Sequence, residues 1–144
     1  MLQILDIRNQ FLSKEVYEIY APCMYQPTWE KFHQKTEKFL QNNQIILLGA
    51  VENSTVVGVI VLETQENNNT EIVGIAVDPA HRQRGIGRNM VLFALKSPEV
   101  QRLYAETDDE AVTFYRRCGF SVEAHVERFP DGEVTRYRCV LTSQ

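Results

Sequence analysis

The stretch Glu71-Ile-Val-Gly-Ile-Ala-Val-Asp-Pro-Ala-His-Arg-Gln-Arg-Gly-Ile-Gly-Arg88 constrains this chain more than any other. The apolar run from Ile72 to Val77 has the length and composition of a buried strand. Asp78-Pro79 marks its exit, because proline lacks the N–H that a continuing ladder needs. A basic loop follows, and then Gly85 and Gly87 open a segment whose Met90, Val91, Ala94 and Leu95 share one helical face. His81 to Arg88 hold three arginines and one histidine, in a chain of formal net charge −4. Glycine lets backbone approach a ligand closely, and a helix start presents unpaired N–H groups and a positive dipole end. The combination predicts an anion site, with phosphate as the best-matched anion.

Composition sets the frame for that site. A chain of 144 residues that is 44% apolar and 24% charged matches one soluble globular domain, residues 1–144. The negative net charge argues against a general nucleic-acid binder, which carries a basic face. No apolar run approaches the ~20 residues that span a bilayer, and the N-terminus lacks the pattern of a secretory leader. Cys23, Cys118 and Cys139 are odd in number and lack metal-ligand spacing, which suits reduced thiols in a cytoplasmic setting. His33, His81 and His125 are scattered, so no metal site is expected.

The remaining segments read in order. Leu2 to Arg8 alternates as a first strand, and Leu12, Val16, Ile19 and Tyr20 predict a helix over Leu12–Tyr20 with no capping box. Thr28 is a candidate N-cap for a second helix that runs to Asn42-Asn43. Gln44–Glu52 and Val56–Leu62 are apolar runs around the turn residues Asn53-Ser-Thr55, which predicts a hairpin, and Asn67–Thr70 is a second turn. Val100–Glu106 is a short strand. Asp108-Asp-Glu110 predicts acids in the first turn of a helix whose Ala111, Phe114, Tyr115 and Cys118 form an apolar stripe, with Gly119 as C-cap. Phe120–Phe129 and Glu133–Leu141 are closing strands around Pro130-Asp-Gly132. Hairpins combined with strand–helix–strand crossovers define an α/β (α+β) class. The expected architecture is a mixed, mainly antiparallel sheet of six to seven strands with about four helices on its faces.

Which phosphate ligand the loop takes is narrowed by spacing. A P-loop needs Lys-Ser/Thr after its last glycine, and neither glycine is followed by lysine. A dinucleotide fingerprint needs a third Gly or Ala where Met90 stands, and a tight turn where seven residues separate Val77 from Gly85. Arg82-Gln-Arg-Gly-Ile-Gly87 instead resembles the Q/R-x-x-G-x-G/A loop of the GNAT superfamily of acetyl-CoA-dependent N-acetyltransferases. Ala111-Val-Thr-Phe-Tyr-Arg-Arg-Cys-Gly-Phe120 resembles the same superfamily's A-x-x-F-Y-x-x-x-G-F helix. Val77-Asp-Pro79 is similar to the end of its fourth strand, and the element order matches across nearly the whole chain.

The resemblance implies acetyl-CoA as co-substrate, with the pyrophosphate on backbone N–H groups of Arg84, Gly85, Ile86, Gly87 and Arg88, beside Gln83. Arg82, Arg84 and Arg88 would give charge to the pyrophosphate or to the 3′-phosphate. It further implies that the pantetheine arm pairs with the backbone of Ile75, Ala76 and Val77, the N–H of Val77 meeting the thioester oxygen. Asp108 stands where the family often has an asparagine that bonds the cofactor arm, and an ionised carboxylate can only accept.

By the same resemblance Tyr115 matches the family's general acid, although its place on the apolar stripe also suits a core residue. A phenol with a pKa of about 10 is a reasonable match to a thiol near about 8.5. Glu71 begins the fourth strand as the base of some members does, with Glu106 or water as alternatives. Cys118 on the buried stripe reads as a small core residue rather than a nucleophile. Two functions remain at this point: an N-acetyltransferase of a small-molecule or peptide primary amine, and a non-catalytic acyl-CoA or nucleotide sensor. The acceptor would be lined by the connection from Tyr20 to Phe32, with Met24, Tyr25 and Trp29, and by the turn from Glu127 to Tyr137. There Glu127, Asp131 and Glu133 would attract a cation. A homodimer, common in the family, is left open.

Overall fold

A computed structural model of the chain describes residues 1–143. Along it run β1 (Leu2–Asp6), α1 (Lys14–Tyr20), α2 (Trp29–Gln41), β2 (Ile45–Glu52), β3 (Thr55–Thr64) and β4 (Asn69–Val77). Then follow α3 (Ile86–Leu95), β5 (Arg102–Thr107), α4 (Val112–Arg117), β6 (Ser121–Phe129) and β7 (Gly132–Thr142). The predicted order of elements is the observed one. The strands form one sheet in the order β1-β2-β3-β4-β5-β7-β6, in which only β4 and β5 run parallel.

Local chemistry explains the boundaries, including those the sequence reading misplaced. The first helix starts at Lys14 rather than Leu12, because the Ser13 hydroxyl accepts the Val16 N–H at 3.1 Å and caps it without a capping-box partner. Thr28 caps α2 in the same way through Lys31 N–H, as expected. The first strand stops at Asp6, and Arg8 turns away to the far end of α2. Its guanidinium donates to the carbonyls of Leu40 at 2.7 Å, Phe39 at 3.1 Å and Ile45 at 2.8 Å, satisfying the orphan acceptors of that helix end. The β2–β3 hairpin turns on Asn53 and Ser54, both left-handed, at φ 53° and 64°.

The two faces of the sheet carry separate apolar cores. Leu47, Val59 and Val61 meet Val16, Ile19, Tyr20, Phe32 and Phe39 of α1 and α2. Ile60, Leu62, Ile72, Leu103 and Ala105 meet Met90, Val91, Val112 and Tyr115 of α3 and α4. The alternation of strand side chains makes this partition.

One irregularity shapes the centre. β4 pairs with β5 only from Asn69–Arg102 to Glu71–Tyr104. Immediately beyond, β4 carries a bulge: Leu62 faces Ile72 and Val61 faces Gly74, so Val73 has no partner on β3. A bulge bends and twists its strand, and past Glu71 and Tyr104 the ladder between the two strands ends. The sheet therefore parts into an opening between the end of β4 and the end of β5, with Glu71 and Tyr104 at its apex.

Candidate active site

The glycine loop lies at the mouth of this opening. Gln83 and Gly85 are both left-handed, at φ 64° and 77°, which turns successive N–H groups inward as an anion-binding nest. A Cβ at Gly85 would meet nothing, so glycine is required there by its backbone angle rather than by space. The first backbone bond of α3 runs from Asn89 N–H to the Gly85 carbonyl at 2.9 Å. The N–H groups of Ile86, Gly87 and Arg88 thus stand free of the helical ladder. Gly87 has a packing reason, since a Cβ there would lie 2.9 Å from the Phe114 ring of α4. The Arg84 side chain is clasped by Glu52 through two bonds of 3.0 and 2.7 Å, so it points to the β2–β3 hairpin. Arg82 donates to the Val77 carbonyl at 3.3 Å.

The edge of β4 is equally defined. Asp78 N–H bonds the Val57 carbonyl of β3, at 2.8 Å. Successive residues of an extended strand point their N–H and C=O groups to opposite sides. Ala76 therefore faces β3, while Ile75 and Val77 face the opening. The bond from the Cys23 thiol to the Ile75 carbonyl, at 3.3 Å, lies on that open side.

Asp108 caps the turn that leads into α4. Its Oδ1 accepts the N–H groups of Glu110 and Ala111, each at 3.1 Å, and its carbonyl accepts Val112 N–H. The acids 108–110 form this capping turn ahead of the helix, which begins at Val112, whereas the sequence reading placed them in the first helical turn.

Tyr115 sits against Phe114 and Phe120, each ring centroid 5.2 Å away, and is only 6% exposed. Burial pushes its phenol well above the ordinary range, with smaller contributions from Cys139, Cys23 and Cys118. The phenol stays protonated through neutral pH, as a hydrogen donor must.

At the apex, Gln65 donates to Glu71 Oε1 at 3.2 Å and accepts from the Tyr104 hydroxyl at 2.6 Å, bridging β4 and β5. Burial is the main cause that raises the Glu71 carboxyl; Glu63 and Glu106 add to it, and the Gln65 bond opposes it. A raised carboxyl is a better base near neutral pH. Glu106, the alternative base, is bonded to Arg138 at 2.8 Å, and that guanidinium lies 4.4 Å over the Tyr104 ring.

The acceptor-side expectations divide. Trp29 packs on Tyr17 and Phe32 at 5.8 and 5.7 Å, under Lys14, and is part of the aromatic core. Tyr25 is 84% exposed. In the β6–β7 turn Glu133 is paired with Arg128 at 3.4 Å, and Glu127 lies 3.7 Å from His125. What the sequence reading missed is an open cavity of about 350 Å³ between α2 and the segment 23–25, lined by Cys23, Met24, Lys31, Lys35 and Lys38 among others. Lysines at helical spacing read as a solvated face, and only the packing of the Cys23 segment turns them into a wall. Among the described residues no group of three or more His, Cys, Asp or Glu is placed to hold a metal, and no helix is long and apolar enough to cross a membrane.

The fold is shared with solved acetyltransferases. The chain matches the ribosomal-protein-S18-alanine N-acetyltransferase of Escherichia coli at 18% identity and TM-score 0.75, over 100% of this chain and 95% of that one. It matches a chimera of the spermidine N-acetyltransferase SpeG from Vibrio cholerae and hSSAT at 18% identity and TM-score 0.79, over 99% and 95%. It also matches a Bacillus subtilis acetyltransferase in complex with CoA at 19% identity and TM-score 0.72, over 99% of each chain. No curated protein sequence matches it significantly. The chain belongs to the acetyltransferase (GNAT) family, whose model covers residues 13–120.

Proposed function

We propose that this enzyme transfers the acetyl group of acetyl-CoA to a primary amine by direct attack within a ternary complex. The observation that carries this reading is the opening itself: the ladder between β4 and β5 ends at Glu71 and Tyr104, and β4 runs on to a glycine loop and a helix start with free N–H groups. The site fits coenzyme A. The nest and the N–H groups of Ile86, Gly87 and Arg88 suit a pyrophosphate, with Arg82 and Arg88 supplying charge, while the N–H groups of Ile75 and Val77 can donate to an amide arm, their carbonyls being held by Cys23 and Arg82. Arg84 contributes its backbone, since its side chain holds Glu52, and Asp108 supports the site by capping α4.

Bound there, acetyl-CoA supplies an activated acyl group. Val77 N–H faces the opening and would stabilise negative charge on the acyl oxygen. Glu71, directly or through water, would take the proton of the incoming ammonium, and Tyr115 would donate to the departing thiolate. The enzyme acts on an amine, as do the two N-acetyltransferases it resembles by name.

Release of free thiol from acetyl-CoA with an amine panel tests the proposal. Amine-stimulated release is expected; donor binding with no release from any amine would instead favour a sensor module. Glu71 provides a sharper check through pH. The base must be ionised, so activity falls as pH drops through its raised pKa. In Glu71→Gln the acidic limb of the kcat/KM profile should disappear and the plateau should fall by about 10²-fold. An unchanged limb would remove Glu71 from the base role.

A further inference from the structure

The lysine cavity is not explained by donor binding. Lys31, Lys35 and Lys38 fall at i, i+4 and i+7 on one face of α2, and no acidic side chain lines the cavity with them. Like charges at this spacing repel and weaken a helix. Glu37 of α2 is engaged by His33 at 2.6 Å and, of the three lysines, adjoins only Lys38, in the neighbouring depression. The lysines are also partly placed. Lys31 Nζ donates to the Gln26 carbonyl at 2.9 Å, and Lys35 Nζ lies 5.7 Å over the Phe39 ring. A concave cationic patch on an otherwise negative protein concentrates anions.

Its position is informative. Cys23 lines the cavity, and its sulfur lies 3.3 Å from the Ile75 carbonyl on the side of β4 that faces the opening. Cys23 thus borders both the lysine wall and that edge of β4. At the apex of that opening Glu71, with Glu63 opposite it on β3, suits a positively charged group.

Resting on the N-acetyltransferase reading, we infer that the acceptor is an amine bearing a carboxylate or phosphate, which docks on Lys31, Lys35 and Lys38 while its amine enters the opening beside Cys23. Such an acceptor would be oriented by opposite charges at its two ends. In the β6–β7 turn Glu133 is already paired with Arg128 at 3.4 Å.

Matched acceptors test this on the whole enzyme with acetyl-CoA, read by free thiol release. The pairs are glycine against glycinamide, Gly-Gly-Glu against Gly-Gly-Gln, and phosphoethanolamine against ethanolamine, which separate carboxylate from phosphate recognition. At least one anionic member should exceed its neutral partner about tenfold in kcat/KM, the worth of one favourable ion contact. In Lys35→Gln/Lys38→Gln that preference should fall to within about threefold through KM, whereas Lys96→Gln, just past α3, should keep it. Release with every neutral partner as good as its anionic counterpart would overturn the inference and leave the acetyltransferase reading intact. Preference retained in the double variant would overturn the assignment to this cavity. No release with any amine would defeat both.

Discussion

Tyr115→Phe should lower turnover by about 10²- to 10⁴-fold while leaving acetyl-CoA affinity and thermal stability nearly unchanged. The ring stays locked between Phe114 and Phe120, and only the hydroxyl is lost. Because burial holds that hydroxyl protonated, its loss removes a donor toward the leaving thiolate rather than a charge. Steady-state kinetics with calorimetric donor titration reads the two effects separately. Turnover within threefold of the parent would return Tyr115 to the role of a core residue.

Gly74→Ala should be nearly as damaging, by a different route. A Cβ at residue 74 would lie 2.5 Å from the Tyr20 hydroxyl and 2.8 and 2.9 Å from its ring. Tyr20 cannot yield cheaply, being 1% exposed and packed on Phe11 and Phe32 at 5.9 and 6.4 Å. Overpacking of this kind costs about 1–3 kcal/mol. The same push falls just past the bulge that parts β4 from β5, so donor affinity should drop together with the melting temperature. Tyr20→Phe in the same chain removes the nearest atom but not the ring contacts, and should restore part of the loss. Equal stability of Gly74→Ala and parent in chemical denaturation would show that the contact relaxes freely.

Gly74 illustrates how much was legible in the sequence. As one apolar-run residue among several it carried no signal, since its partner Tyr20 lies 54 positions away. The loop glycines were more visible because their requirement is local: Gly85 needs a left-handed backbone next to its own helix. Even there the reasons split, for Gly87 is small to admit Phe114 rather than a ligand. Arg84 shows the same limit. Its charge was plain, but its capture by Glu52 depends on a hairpin 32 residues earlier.

The sequence by itself determined the element order, the mixed sheet and the phosphate-ready helix start. These follow from short-range periodicity, turn residues and glycine backbone freedom, all of which act within a few residues. The family resemblance also pointed to Tyr115, through the motif Ala111–Phe120, and to Glu71, through its place at the start of β4. Tertiary structure alone decided where the chemistry can occur. The opening exists because a bulge at Val73 follows the last β4–β5 pair, and the paired residues of β4 and β5 are 33 positions apart. The lysine wall became a cavity only because the segment at Cys23 folds over α2 and reaches β4. Pairing and packing bring together residues that no local pattern links.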